Sequence, residues 1–368
     1  MIEDVGRFDV GMPPGATQLA LAYAARGAAA ARRLTGAPWA VSASAVVGHL
    51  LLPLVVGDRP ASSAPRSVPG GGWVHADLIA DDEELFAVLA ADAPGADAEE
   101  LAITAQECRL PVTPYRRAPA RWRLEPPEAA DVGERLRRVS SPASVRVVDL
   151  TAMWAGPLCT ALLAAWGARV LTVEPPSRRD GLRGSPAQFA VLDHGKARRP
   201  WDLRMESGRA AFEAALREAD VLVESFSDRV LPNLGYDDAS LTRLNHRLNV
   251  VRVRAFPSSS AEASWVAFGR GVHAVSGLGF VDGAPAPATV AYPDPLAGLL
   301  AFAAVLEALA RLEGGQRVEV SLAGAIAPLL GASGAALGAV DDASIAAARS
   351  GAARRPGAIL LPGESAPR

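Results

Sequence analysis

Strand-like and helix-like segments alternate along residues 145–330, and this alternation limits the possible folds more than any other feature of the chain. Short runs rich in β-branched residues, such as 145–150 and 170–174, are each followed by a segment with helical periodicity. Further strand-like runs occur at 221–224 and 250–253. This alternation is typical of right-handed βαβ units, which form a parallel sheet covered by helices on both faces. We therefore predict an α/β fold with a Rossmann-like parallel sheet.

The rest of the chain divides into segments of different character. Within them, Asp97 followed by Glu100 predicts the N-terminus of a helix, since this spacing forms a capping box. The predicted segments are a helix–strand unit at 1–57, a small α+β domain at 58–117, a proline- and charge-rich linker at 118–144, the Rossmann-like half at 145–330 and an Ala/Gly/Pro-rich tail at 331–368.

Charge and cysteine content exclude several classes of partner. The 368 residues carry a formal net charge of -3, which gives no electrostatic reason to expect nucleic acid or an anionic membrane as partner. The two cysteines, Cys108 and Cys159, form neither a disulfide framework nor a metal-binding spacing, so no metal is expected. The most apolar run, 41–56, is short for a bilayer span, and the acidic residues 1–4 do not resemble a secretory signal. We expect a cytoplasmic protein.

An internal repeat draws attention to one carboxylate. Residues 293–321 form a long apolar helical pattern that ends at Gly315 and leads into a strand-like run. Residues 14–42 match this segment without a gap, sharing alanines, an arginine, a glycine and a Val-Ser pair at equivalent positions. Where the second copy has Asp294, the first has Gly15. The aspartate is therefore either a cap that one helix can do without, or a group that takes part in chemistry.

Local physics alone favours the cap. An Asp that precedes Pro295 at a helix start is a good N-cap, with the proline at the first helical position. The opposing argument is that Asp294 lies between two prolines, which restrict its backbone. A nucleophilic carboxylate gains from such rigidity.

Other candidate positions carry weaker signals. The loop 151–157 joins a strand to its helix, where backbone N–H groups can receive a phosphate. Neither a dinucleotide nor a P-loop glycine motif is present. His194 and Lys196 lie in a polar turn that could hold a phosphate or carboxylate, or simply be solvated. His273 lies in an apolar stretch, where a histidine is usually a hydrogen-bonded core residue.

Many short fragments, in this order, resemble the family III CoA transferases, the carnitine dehydratase and bile-acid-inducible group. They cover residues 145 to 330 without large gaps. The matching fragments are Val147-Val148-Asp149-Leu150-Thr151, Ala155-Gly156-Pro157, Trp166-Gly167-Ala168, Val173-Glu174-Pro175-Pro176, Gly195-Lys196, Gly208-Arg209-Ala210, Val221-Leu222-Val223-Glu224-Ser225-Phe226, Leu234-Gly235-Tyr236, Ser276-Gly277, Asp294 with Gly298, and Gly315-Gln316-Arg317-Val318-Glu319-Val320-Ser321.

The resemblance implies a chemistry and a set of site residues. In that family the aspartate matching Asp294 attacks an acyl-CoA thioester, and the acyl group passes to a carboxylic acid through aspartyl anhydride and thioester intermediates. The expected partners are coenzyme A or acyl-CoA, a carboxylic acid, and a second copy of the chain in a homodimer that is interlocked in family members. The residues implied to bind coenzyme A are Ala152, Trp154, Ala155, Lys196, Ser225, Phe226 and Asn233.

The same resemblance leaves alternatives open. A racemase or isomerase would use Asp294 with His273, although the racemase branch places a His-Asp pair at Phe268-Gly269, where neither residue is present. A member that has lost CoA would do other chemistry or serve as a binding partner. The order of the parts is also rearranged: residues 1–140 resemble the back part of one copy, and 145–330 the front part of another. Gly15 then marks a copy that has lost its nucleophile.

Overall fold

The computed structural model describes residues 12–57, 64–124, 138–332 and 359–362. The N-terminal segment contains helices α1 (Ala16–Thr35), α2 (Ala43–Leu50) and α3 (Leu52–Val56), with strand β1 (Trp39–Val41) between the first two. The next segment, the small unit, contains β2 (Arg66–Ser67), β3 (Trp73–Ala76), α4 (Ala80–Asp92), α5 (Ala98–Glu107) and β4 (Val112–Pro114).

The larger part of the chain alternates strands and helices. In chain order it contains β5 (Arg146–Leu150), α6 (Ala155–Trp166), β6 (Arg169–Val173), α7 (Pro186–Asp193), β7 (Ala197–Arg199), α8 (Glu206–Glu218), β8 (Val221–Glu224), α9 (Val230–Asn233), α10 (Asp238–Leu244), β9 (Asn249–Arg254), α11 (Gly269–Val275), β10 (Phe280–Val281), β11 (Ala284–Pro285), α12 (Pro293–Ala310), β12 (Arg317–Ser321), α13 (Leu322–Ile326) and β13 (Leu360–Pro362). Short 3₁₀ turns occur at Pro142–Ser144, Gly181–Gly184 and Ala327–Ala332.

Six strands form the parallel sheet that the sequence predicts, in the order β12-β9-β8-β5-β6-β7. The α/β prediction is therefore confirmed. Sequence reasoning missed β7, a three-residue edge strand that contains two arginines and has no apolar run. After β7 the chain returns to the other side of β5, so the strand order reverses between β5 and β8. Ligands of open α/β sheets bind at such a switch point, beyond the carboxyl ends of the strands.

The small unit is an antiparallel three-stranded sheet, β2-β3-β4, with α4 and α5 packed on it. Asp97 caps α5 as the sequence predicts, because its carboxylate accepts hydrogen bonds from the N–H groups of Glu99 and Glu100 while Glu100 reaches back to the N–H of Asp97. Strands β3 and β4 lie against α11 of the larger part, where Thr113 borders Gly271. The small unit therefore packs on the element that precedes Asp294.

Helix α12 is the centre of the hydrophobic core. All but one of its 18 residues are buried, and it packs against α1, α6, α13 and the sheet. It has the length and apolar character of a membrane-spanning helix, but nearly all of it is covered by the protein itself. A helix that is apolar on every side is stable only when it is enclosed in this way.

The two repeated segments adopt the same succession of helix, strand and short helix. At matching positions, Ser42 caps α2 by accepting from the N–H of Ala45, and Ser321 caps α13 by accepting from the N–H of Gly324. Helix α1 also packs directly on its counterpart α12: Arg26 forms a two-pronged ion pair of 2.6 Å with Glu307. The repeat is thus a property of the folded chain as well as of the sequence.

Some sequence predictions differ from the structure or lie outside the described residues. The apolar run 41–56 forms helices α2 and α3. Part of the predicted tail is a strand, since β13 pairs antiparallel with β1. This strand has only three residues, too few to stand out within the Ala/Gly/Pro-rich tail. Residues 125–137 of the predicted linker, and most of the tail, lie outside the described residues.

The crossing of α12 and α6 depends on Gly298. A Cβ at this position would lie 2.7 Å from the carbonyl oxygen of Ala155 and 3.0 Å from Leu158. Since the first of these atoms belongs to the backbone, we expect Gly298→Ala to lower the free energy of unfolding by about 1–3 kcal/mol, measured by urea denaturation. Gly184→Ala is the control, because the structure has no described atom within 4 Å of a Cβ there. Equal stability of the two variants would contradict this packing.

Candidate active site

Asp294 lies inside the first turn of α12 and is not its cap. The helix begins at Pro293 with Tyr292 at the N-cap position, and within the described part of the chain no side chain caps it. The cap interpretation is therefore wrong. The carboxylate instead turns toward α11, where its Oδ2 accepts a hydrogen bond of 3.0 Å from the backbone N–H of Gly269. What the prolines provide is a fixed position for a side chain that interacts outside its own helix.

Burial gives Asp294 unusual electrostatics. Its residue is only 6% exposed, and this burial raises the pKa of the carboxyl from 3.8 to about 7. The Gly269 N–H opposes the rise, the nearby Asp77 adds to it, and Arg270 counteracts it. The group is therefore near its midpoint of ionisation at neutral pH. Perturbed carboxyl groups of this kind are common at functional sites.

Gly269 allows the contact because it has no side chain. A Cβ at this position would lie 2.1 Å from Asp294 Oδ2, a distance at which the carboxylate must move. Arg270, the next residue, donates from its guanidinium to the carbonyl oxygens of Ala288 and Thr289, which precede α12. Helix α11 thus supplies both a hydrogen-bond donor for the carboxylate and a brace for the loop that carries it.

His273 is fully buried, and both of its ring nitrogens are engaged. Nδ1 lies 2.8 Å from the hydroxyl of Tyr292, and Nε2 lies 2.9 Å from the carbonyl oxygen of Ala286. A carbonyl can only accept, so Nε2 carries the proton and Nδ1 accepts from the tyrosine. Burial lowers the pKa of His273 to about 4, so the ring is neutral. Among the described residues no hydrogen bond joins it to Asp294, and these contacts are those of a core histidine.

The loop after β5 brings several predicted ligands together at the switch point. The N–H of Ala152 donates to Ser225 Oγ at 3.3 Å, which connects the ends of β5 and β8. Ala152 is exposed, whereas Trp154 and Ala155 are buried at the start of α6. Because Ala155 borders Gly298, one turn along α12 from Asp294, this loop lies close to the candidate nucleophile.

Two details of this loop suit a ligand site. Met153 has a φ of +70°, a left-handed conformation that is unusual for a residue with a side chain, and its N–H donates to Asp180 on the loop after β6. The indole Nε1 of Trp154 is buried and, in the part of the chain that the structure describes, has no hydrogen-bond partner. Strained backbone and unpaired buried donors are both costly and cluster where ligands bind.

Lys196 is directed inward, beneath this loop. Its ammonium donates to Thr160 Oγ1 at 2.6 Å, to Pro157 O at 3.0 Å and to Asp149 Oδ2 at 3.2 Å, and its side chain is 2% exposed. The other oxygen of Asp149 accepts from the N–H and hydroxyl of Thr151. The ammonium therefore holds the end of β5 and the start of α6 in place, and we expect Lys196 to support the loop without contacting a phosphate itself.

The remaining predicted ligands lie on the segment after β8. Phe226 is half-buried, and its N–H donates to Glu224 Oε2 at 2.8 Å. Asn233 is exposed at the end of α9. Three arginines on the loops after β6 and β8 are also exposed: Arg178, Arg179 and Arg229.

Sequence reasoning missed the groups that surround Asp294. Gly269 was singled out only as the place of an absent His-Asp pair, and no pattern pointed to Arg270 or Asp77. Asp77 follows β3 of the small unit, and its Oδ2 lies 2.9 Å from Nε2 of the buried His75. These residues meet only when the small unit packs on α11. In the described ranges, no group of three or more His, Cys, Asp or Glu side chains could hold a metal ion.

The Asp149–Lys196 pair gives a direct test of this arrangement. We expect Lys196→Met to lower the free energy of unfolding by about 3–5 kcal/mol, since it leaves a buried carboxylate without its counter-ion. The double variant Asp149→Asn/Lys196→Met should recover much of this loss, and urea denaturation measures both. A single variant that is no less stable than the double variant would contradict the buried pair.

Comparisons with known proteins identify a family. The model of CoA-transferase family III matches residues 143–353, more than half of the chain. Formyl-CoA:oxalate CoA-transferase of Escherichia coli is 30% identical over 197 residues, which cover 50% of this chain and 47% of that enzyme. Acetyl-CoA:oxalate CoA-transferase of Acetobacter aceti is 31% identical over 191 residues, 48% of this chain and 49% of the enzyme.

Two solved structures are also similar. A CaiB/BaiF family protein from Brucella suis is 28% identical with a TM-score of 0.48, over 50% of this chain and 54% of that one. A hypothetical protein from Mycobacterium tuberculosis is 26% identical with a TM-score of 0.47, over 51% and 56%. The chain spans about half the length of the curated relatives it matches. By the extent of the family match, it belongs to CoA-transferase family III.

Proposed function

We propose that the chain transfers coenzyme A between an acyl-CoA and a carboxylic acid, with Asp294 as the acyl-accepting nucleophile. The observation that carries the proposal is the position of Asp294: a nearly buried carboxylate, fixed at the start of the core helix, that accepts a hydrogen bond from the Gly269 N–H. A desolvated carboxylate is a stronger nucleophile than a hydrated one, and its fixed position reduces the entropy cost of attack. The similar enzymes named as oxalate CoA-transferases support the substrate class.

In this proposal the two carboxylate oxygens of Asp294 have different tasks. Oδ2 is held by Gly269, so Oδ1 attacks the thioester carbon. The carbon–sulfur bond breaks, coenzyme A leaves as the thiolate, and Asp294 becomes a mixed anhydride in which Oδ2 is the aspartyl carbonyl oxygen. The thiolate then attacks the aspartyl carbon, the donor acid leaves as its carboxylate, and an aspartyl-CoA thioester remains. In that step the Gly269 N–H donates to the oxyanion that forms on Oδ2.

The acceptor acid reverses these steps. Its carboxylate oxygen attacks the aspartyl thioester, and the thiolate leaves again. The thiolate then attacks the acceptor's carbonyl carbon, which releases the new acyl-CoA and restores the Asp294 carboxylate. The loop 151–156 at the switch point is proposed to hold the acyl-CoA, with Ala152, Trp154, Ala155, Ser225 and Phe226 around it. The exposed Arg178, Arg179 and Arg229 are proposed to attract its phosphates, with Asn233 nearby in sequence.

The rearranged order of the segments also remains a proposal. Helix α1 repeats α12 and packs on it, which supports the reading of the N-terminal segment as the corresponding part of another copy. We also propose that the enzyme is a homodimer, as the family resemblance implies.

Acyl transfer can be tested with acetyl-CoA and oxalate, followed as formation of oxalyl-CoA. We expect Asp294→Asn to lower kcat/KM by more than about a thousandfold. Since the carboxylate form attacks, kcat/KM of the unsubstituted protein should rise with pH and level off above about 7. Hydroxylamine added with acetyl-CoA should leave a hydroxamate on Asp294, located by mass spectrometry. Full turnover by Asp294→Asn would refute the proposal.

The variant His273→Gln distinguishes CoA transfer from the racemase alternative, because only a racemase would need His273 as a proton-transfer group. Glutamine can both donate and accept a hydrogen bond but does not ionise, so a core role predicts that oxalyl-CoA formation survives. Exchange of the α-proton of an acyl-CoA into deuterated water, lost in both His273→Gln and Asp294→Asn, would instead favour an isomerase.

The buried carboxyl also makes stability depend on pH. Because its pKa is raised in the folded protein from 3.8 to about 7, the folded state holds the proton more tightly than the unfolded state. This stabilisation is complete below the unfolded pKa and is lost as pH rises through about 7. Relative to Asp294→Asn, the unsubstituted protein should therefore lose up to about 4 kcal/mol of unfolding free energy over that range. A constant difference between the two proteins at all pH values would contradict the raised pKa.

A further inference from the structure

Gln106 of the small unit is buried, and its side-chain amide forms hydrogen bonds with the loop that leads to Gly269. Its Oε1 accepts from the N–H of Val266 at 2.7 Å, and its Nε2 donates to the carbonyl oxygen of the same residue at 2.9 Å. Nε2 also donates to Val112 O at 2.9 Å, at the start of β4. One side chain thus binds both backbone groups of Val266, as a neighbouring strand would, across 160 residues of sequence.

Val266 precedes Gly269 by three residues, so its position determines where α11 begins. Phe268 is the N-cap residue of α11, and Gly269 is the first helical residue. Beyond Gly269, the side chain of Thr113 in β4 borders Gly271: a Cβ there would lie 3.1 Å from Thr113 Oγ1. The small unit therefore contacts the backbone on both sides of Gly269, whose N–H binds Asp294.

Other contacts bind the same loop but further from Gly269. Arg116 pairs with Glu262 at 2.5 Å, and Arg109 donates to Ser264 O at 2.9 Å. Both lie nearer the surface than Gln106, which is 6% exposed. Of these three side chains, Gln106 is therefore the buried one and the one that hydrogen-bonds the loop nearest to Gly269.

We propose that Gln106 is a positioning residue, which holds the Gly269 N–H against Asp294 and so makes docking of the small unit a condition for an active carboxylate. The amide satisfies a backbone donor and a backbone acceptor at once with two separate atoms; a carboxylate has no donor and a hydrocarbon has neither. The consequence for acyl transfer rests on the function proposed above, whereas the structural link between Gln106 and the carboxylate does not.

The charged and titratable groups around Asp294 determine whether its pKa rises or falls when Gln106 is replaced. Asp77, beside His75 on β3, raises the pKa of Asp294, while Arg270 on α11 and the Gly269 N–H lower it. Tyr115, His273 and Tyr292 are further titratable side chains near α11 and the start of α12, and burial raises the tyrosine pKa values and lowers that of His273. If loss of Gln106 displaces the Gly269 N–H, the pKa of Asp294 must rise. If it merely moves Asp77 away, the pKa must fall.

The experiment is a ¹³C NMR titration of the aspartate side-chain carboxyl carbons, with Asp294 assigned from Asp294→Asn. We expect Gln106→Met to raise the pKa of Asp294 by about one unit, the shift that corresponds to loss of one typical hydrogen bond. Leu101→Ala is the matched control, since it weakens the core of the small unit from the same helix without touching Val266. It should leave the pKa unchanged. Gln106→Asn, which keeps the amide but shortens its reach, replaces Gln106→Met if that protein does not fold.

Two results would overturn the proposal: an unchanged or lowered pKa in the Gln106 variants, or an equal rise in Leu101→Ala. The acyl-transfer assay then separates the two proposals. A rise in pKa without acyl transfer in any of the proteins supports the positioning role and contradicts the proposed function. Acyl transfer by the unsubstituted protein, with kcat unaffected by Gln106→Met and no change in pKa, supports the function and contradicts the positioning role.

Discussion

The enclosure of helix α12 on every side is the constraint on which the site depends. An apolar helix of 18 residues must be covered, and here α1, α6, α13 and the sheet cover it. A carboxylate in the first turn of this helix is then buried as well, although burial disfavours its charged form. The cost of that desolvation appears as the raised pKa of Asp294, and it is reduced only in part by the Gly269 N–H and the nearby Arg270. Burial of the core helix and the raised pKa of Asp294 thus have a common origin.

Two further sets of polar contacts fix the loop 151–156 near this buried position. Asp149 and Lys196 form a dry ion pair beneath the loop 151–156, which lets a strand end and a helix start meet at the switch point of the sheet. Asp180 ties the same loop to the segment after β6 through the N–H of Met153. Neither arrangement touches the carboxylate of Asp294. Each fixes backbone of the loop that leads into α6, where Ala155 borders Gly298.

Much of the sheet could be predicted from the sequence, because its buried parallel strands are short runs rich in β-branched residues. Strand β7 was missed because its three residues include two arginines, and β13 because its three residues lie within an Ala/Gly/Pro-rich stretch. The candidate nucleophile was found through the internal repeat and the family resemblance, and local rules misjudged its geometry: they read a cap where the side chain faces another helix. Gly269, Asp77 and Gln106 could not be found in this way. They are distant in sequence from Asp294, and only packing of the small unit on α11 brings them to it.

The two copies of the repeat differ in more than one side chain. Gly15 is the N-cap residue of α1 and has a φ of +90°, a conformation that residues with a side chain rarely adopt, whereas Asp294 is the second residue of its helix. An aspartate introduced at position 15 would be strained, and the backbone would present it before the helix rather than within it. The difference between the two copies therefore lies in the main chain as well as in the side chain. A Gly15→Asp change alone would not place a carboxylate where α12 has Asp294.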